Sequence, residues 1–157
     1  MLVEVVGKRL MELGQTITSA ESLTAGLFVA TLAEVSGISS VLPGAFVTYS
    51  AESKTQLINV APELISRDGV VSASVAEAMA SGARATLRTD WAVSFTGVAG
   101  PDRLEGHPAG TVFIGIVGPN LNETVEYHFA GDRQAVREQS VQAAFVLLDK
   151  FLTGKDA

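Results

Sequence analysis

The sequence predicts an α/β fold: a three-layer α/β/α sandwich around a mixed, mostly parallel five-stranded sheet that ends in an antiparallel hairpin. Three observations predict it. Early in the chain, segments with apolar residues at helical spacing alternate with short strand-like runs. Later, the apolar runs "WAVSF" and "TVFIGIV" are joined by a Gly- and Pro-rich loop with no helical period, so they should pair antiparallel without a crossover helix. Finally, each early strand ends in small and hydroxyl residues, at the edge where open α/β sheets bind ligands.

The elements follow in order. Leu2, Val5, Val6, Leu10 and Leu13 fall on one helical face and Gly14 stops the helix. A strand "QTITSA" precedes a helix over 25–35 capped by Thr24, and "SGISSVLPG" loops into a second strand, "AFVTY". Ser50 caps the helix bearing Lys54, and a broken region surrounds Pro62 and Gly69. Ser74-Val75-Ala76-Glu77 reads as a capping box for a helix to about Leu87. "WAVSF" is a buried third strand and "TVFIGIV" a buried fourth. After the turn "GPNLN", Val125, Tyr127 and Phe129 alternate with Thr124, Glu126 and His128 as in a half-exposed edge strand, which leaves His128 facing water. Asp132 caps a last helix with Val136, Val141, Ala144, Leu148 and Phe151 roughly in line.

The bulk properties narrow the function classes. The 157 residues suit one domain, 1–157, with its own core. Cysteine is absent, which excludes a disulfide framework, a thiolate nucleophile and any Cys-containing zinc site, and the separated histidines make a metal centre a weak expectation. The N-terminus carries charges and lacks a signal-peptide pattern, and no apolar run is long enough for a membrane helix, so the expectation is a cytoplasmic protein with no membrane partner. A net charge of -6 with scattered Lys and Arg offers no stripe for a nucleic acid polymer, although one arginine and a few backbone amides suffice for a single small phosphate.

Lys54 is the sharpest chemical signal. It falls in the first turns of a helix, where the aligned peptide dipoles disfavour a cation. A lysine there gains from the site only if it works uncharged. The dipole contributes about 0.3–1 kcal/mol towards that, and burial must supply the rest. A neutral amine near Tyr49 and a serine would serve as a general base. The Thr96–Pro101 loop offers the amides of Gly97 and Gly100 after a strand, and Arg133 and Arg137 occupy the first turns of the last helix, again disfavoured unless an anion is near.

"SAESLTAG", "FVTYSAESK", "GVVS", "TGVAGP", "PAGTV" and "GDRQAVR" resemble, in order, the motifs of the CinA C-terminal domain family, the nicotinamide mononucleotide (NMN) deamidases. The resemblance runs from residue 19 to 137, and the combination is far more specific than any single motif. It implies hydrolysis of the NMN carboxamide to nicotinate mononucleotide and ammonia in pyridine nucleotide salvage, with no cofactor. Carried over by residue, it implies Ser39 as nucleophile activated by Lys54 and Tyr49, with Thr96 and Arg137 holding substrate and Glu21 and Ser22 lining the pocket.

The predicted topology separates Ser39, before the second strand, from Tyr49 and Lys54 after it, by roughly 16 Å of extended chain. Three arrangements resolve this: the 36–44 loop folds back, a second subunit of a homo-oligomer completes the site, or Ser22 is the nucleophile. The family usually has Cys-Thr-Gly-Gly where this chain has Leu23-Thr24-Ala25-Gly26, and a Gly-rich, lysine-bearing stretch where this chain has residues 102–107. The nucleotide-hydrolysing domain often fused ahead of it has no counterpart in these residues, so its activity is not carried over. Rival readings are a noncatalytic nucleotide- or partner-binding module linked to competence and damage responses, and an amidase for another amide.

Overall fold

The computed structural model describes residues 1–154; the last three positions of the expected 1–157 domain lie outside the described residues. The strands are β1 (Ile17–Glu21), β2 (Phe46–Val47), β3 (Trp91–Gly97), β4 (Thr111–Gly118) and β5 (Leu121–His128). They form one sheet in the order β2-β1-β3-β4-β5. β1 pairs parallel with β2 and β3, whereas β4 pairs antiparallel with β3 and β5. The helices are α1 (Leu2–Leu13), α2 (Leu27–Leu32), α3 (Ala51–Ile58), α4 (Pro62–Asp68), α5 (Ala73–Leu87) and α6 (Arg133–Thr153), with a 3-10 turn at Ile38–Ser40.

Side-chain size sorts the two faces of the sheet. Ile17, Trp91, Val93, Phe95, Val112, Ile114 and Ile116 pack with residues of α1, α2 and α6, where Phe28 stacks on Phe145 at 4.8 Å. On β1 and β3 the alternate positions are small, Ala20 and Ala92 meeting α5 through Ala80, Ala83 and Met79, while on β4 Phe113 and Val117 also turn to this face. Ser94 on this face donates to the Ala76 carbonyl, and a Cβ on Gly115 would lie 2.8 Å from that same oxygen. The period-2 alternation therefore sets how closely each helix layer approaches.

The local signals give some boundaries and not others. Gly14 ends α1 in the left-handed region, Ser50 caps α3 through the Ser53 amide, and Asp132 caps α6 through the Ala135 amide, as expected. β5 alternates as predicted, with His128 exposed beside Glu126.

Four expectations are corrected. α2 covers Leu27–Leu32 rather than 25–35, and the buried Thr24 hydroxyl caps nothing. The region around Pro62 is a helix, with Pro62 in the first turn where its missing N–H costs nothing. The cap of α5 is Ser72, bonded to the Val75 amide. Ser74 donates instead to Asp68 at 2.6 Å, and Glu77 accepts from Asn122. The second strand is only two residues long, so Tyr49 lies beyond it.

Gly82 marks the closest approach of α5 to the end of α3: a Cβ there would sit 1.9 Å from the Ile58 carbonyl oxygen. Gly82→Ala is expected to destabilise the fold by about 1–3 kcal/mol, despite the gain of about 1 kcal/mol in helix propensity, as read from urea unfolding midpoints.

Candidate active site

The site lies beyond the carboxyl ends of the three parallel strands. From β1 the chain leaves through α2 on one face, and from β2 it reaches β3 through α3 to α5 on the other, so the connections diverge around β1. A cavity of about 470 Å3 opens there, lined by the residues that follow β1 (Ser22, Leu23), β2 (Tyr49, Ala51, Lys54) and β3 (Val98 to Asp102) together with Val70, Val71, Leu104 and Arg133.

Glu21 closes β1 and is fully buried. Its carboxylate accepts from Ser19 Oγ at 2.9 Å and from the amides of Gly26, Phe28 and Val29 at 3.1, 2.9 and 3.1 Å. It thus caps the first turn of α2, doing from the adjacent strand what Thr24 was expected to do, and it does not line the cavity. Ser22 comes next, tied to β3 by its amide on the Phe95 carbonyl at 3.1 Å.

Lys54 is 1% exposed. Its Nζ donates to the Thr48 carbonyl at 2.7 Å and lies 3.4 Å from Ser22 Oγ. Burial pushes the amine down from its ordinary 10.5 to about 8, against the field of Glu105, which works the other way. A neutral amine that donates one hydrogen to Thr48 keeps its lone pair for the serine hydroxyl.

The remaining expected residues divide. Arg133 donates to the Gly100 carbonyl at 2.7 Å and to Tyr49 Oη at 2.9 Å, and among the described residues it has no carboxylate partner. Thr96 lines the cavity while donating to the Val70 carbonyl at 2.6 Å. Gly97 and Gly100 also line it; a side chain at Gly97 would strike the Thr111 carbonyl, and Gly100 has φ +97°.

Arg137, expected to hold a phosphate, instead donates to the Leu23 and Thr24 carbonyls at 2.9 and 3.1 Å and pins the loop that carries Ser22. Ser39, expected as nucleophile, is exposed on the 3-10 turn. The following Val41 carbonyl accepts from the Ile17 amide at the start of β1. Ser39 is therefore about a strand length, roughly 16 Å, from the end of β1 where Lys54 sits, and the 36–44 loop does not fold back to bring them together within the chain.

The structure also shows partners that sequence reasoning missed: the Thr48 carbonyl and Glu105. A backbone acceptor leaves no mark in a sequence, and Glu105 stands in a loop without periodicity. Its one signal was Gly69, whose missing Cβ leaves room for the carboxylate.

A family model for the CinA C-terminal domain matches residues 1–152. The chain belongs to this family. A competence-damage inducible protein of Lactiplantibacillus plantarum is 52% identical over 148 residues, covering 94% of this chain and 35% of that protein. One from Streptococcus pneumoniae is 46% identical over 152 residues, covering 96% and 36%. The chain thus spans roughly a third of the length of the curated relatives it matches. Among solved structures, a CinA superfamily protein from Klebsiella pneumoniae superposes with a TM-score of 0.94 at 31% identity, covering 98% of this chain and 96% of that one. A competence/damage inducible protein from Agrobacterium tumefaciens gives 0.89 at 31%, with the same coverage. In this CinA C-terminal domain, Ala25 has φ +49°, a left-handed position, where the resemblance expects glycine. Among the described residues no helix is long and apolar enough to cross a membrane, and no group of three or more His, Asp or Glu is placed to hold a metal ion.

Because the Lys54 amine binds its proton less tightly when folded, the unfolded chain holds more protons between about pH 8 and 10.5, and folding stability rises across that window. Lys54→Met should remove this rise. Denaturant unfolding at a series of pH values measures the loss of the rise.

Proposed function

We propose that this CinA C-terminal domain is an amidohydrolase that converts NMN and water to nicotinate mononucleotide and ammonia, with Ser22 as nucleophile and Lys54 as its base. One observation carries the reading: a buried amine, held by a backbone carbonyl, faces a half-buried serine hydroxyl at the wall of a cavity of substrate size.

In the proposed sequence, neutral Lys54 takes the Ser22 proton as Oγ attacks the carboxamide carbon. The tetrahedral intermediate collapses as the proton held by Lys54 passes to its nitrogen, which leaves as ammonia and returns Lys54 to the neutral form. Tyr49 is suited to relay that proton: its oxygen accepts from Arg133, which leaves its own hydrogen free to turn into the cavity. Water then attacks the acyl ester, giving its proton to Lys54, and Ser22 recovers a proton as the acid departs. Arg133 takes the phosphate role in place of Arg137, since its charge has no carboxylate partner whereas the Arg137 donors are turned to the backbone. The apolar wall of Val70, Val71, Val98 and Pro101 suits the pyridine ring.

Ammonia release from NMN tests the scheme. Ser22→Ala and Lys54→Ala should each lower kcat/KM by at least about 10³-fold, while Ser39→Ala stays within about twofold of wild type. Equal losses at Ser39 and Ser22 would place the nucleophile on a second subunit and sink the Ser22 assignment. A wild type that binds NMN without releasing ammonia would instead make the domain a binding module.

Since the reactive form of Lys54 is the uncharged one, kcat/KM should rise with pH and level off above about 8, as read from a pH–rate profile.

Arg133→Ala should weaken NMN far more than nicotinamide riboside, mainly in KM. A matching loss on the riboside would contradict phosphate binding.

A further inference from the structure

The loop between β3 and β4 is strapped across the segment that joins α4 to α5. The Glu105 carboxylate accepts from the amides of Val70 and Val71 at 3.0 and 2.9 Å. The tip of the strap is itself braced: Leu104 and His107 exchange backbone hydrogen bonds at 3.1 and 2.8 Å, and Arg103 donates to the Gly106 carbonyl at 2.9 Å. Glu105 has φ +51°, a conformation that side-chain-bearing residues rarely adopt and that persists where the surroundings hold it.

The receiving side is matched to it. Gly69 has φ +81°, and a Cβ there would lie 2.8 Å from Glu105 Oε1, so the carboxylate fills the space that the glycine leaves open. The clasped segment reaches the site directly. Val70 and Val71 line the cavity, and the Val70 carbonyl takes the hydrogen of the Thr96 hydroxyl.

The structure assigns Glu105 as a positioning residue: its carboxylate, received by two backbone amides beside a matched glycine, holds the 69–71 segment and Thr96 as the wall against which substrate is presented to Ser22 and Lys54. This rests on the amidase reading given above.

The same carboxylate acts on Lys54 through space, stabilising the ammonium against the desolvation that lowers its proton affinity. Glu105 is not itself on the cavity lining; besides Lys54 the charged or titratable groups there are Tyr49, Asp102 and Arg133, and Glu52 stands on α3 itself. Glu105→Gln keeps an oxygen for the amides and removes the charge.

The test combines NMR titration of the ¹⁵N-labelled Lys54 amine, which needs no turnover, with steady-state ammonia release from NMN. In Glu105→Gln the Lys54 midpoint should fall, and the rising limb of kcat/KM should move to lower pH by the same amount. Glu105→Ala and Gly69→Ala should each lose about tenfold in kcat/KM, mainly through KM, and the double variant should lose no more than the worse single one. A Glu105→Ala variant with KM unchanged overturns the assignment, as does a double variant whose loss is the product of the two singles, or a gain in turnover on removing the carboxylate. If Gly69→Ala does not fold, Glu105→Ala against Glu105→Gln decides: the alanine variant should lose KM that the glutamine variant largely keeps, and equal KM in both overturns the assignment. A wild type that releases no ammonia defeats the amidase reading, and faster hydrogen exchange of the Val70 and Val71 amides in Glu105→Ala still reports whether the carboxylate holds that segment.

Discussion

The carboxylate of Glu21 is the constraint on which the site depends. A buried carboxylate is costly unless its oxygens are satisfied, and here a serine hydroxyl and three amides at the start of α2 satisfy it. The arrangement also meets the helix at its electropositive end. The residue that follows has little freedom left, because its amide is already committed to β3. Ser22 is therefore held by β3, the Glu21 carbonyl before it accepts from the Thr48 amide, and Arg137 on α6 fixes the next two carbonyls.

Against that fixed serine, the sheet topology delivers the cations. Lys54 arrives because β2 runs parallel to β1 and ends beside it, so the first helix after β2 starts at the same edge. Arg133 arrives for a different reason. The antiparallel pair β4–β5 carries the chain away and back again, so α6 begins where β3 ended. One cation is buried and gives up proton affinity; the other stays exposed, held by a carbonyl and a phenol. The two suit different tasks.

Much of the fold was legible because its signals are local. Helix stops such as Gly14, caps such as Ser50 and Asp132, and the alternation of β5 act within a few residues of themselves. Lys54 was legible because a cation in an early helical turn is anomalous on electrostatic grounds alone. The misses share the opposite character. Thr24 looked like a cap, but a carboxylate from the neighbouring strand had better geometry. Ser72 and Ser74 are equivalent in composition, and only Asp68 and Asn122 decide which of the local partners is free to cap α5. Ser39 and Ser22 both sit in motifs, and what the sequence does not show is that they occupy opposite ends of the sheet. Glu105 depends on a glycine far away in sequence.

The hairpin has a practical corollary. Its turn, Pro119–Asn120, lies at the edge of the sheet opposite the cavity, since β4 runs away from Thr111 and β5 returns to His128. A fluorophore or an immobilisation handle grafted there would report on the molecule from the far end of the sheet, leaving the mouth of the cavity unobstructed.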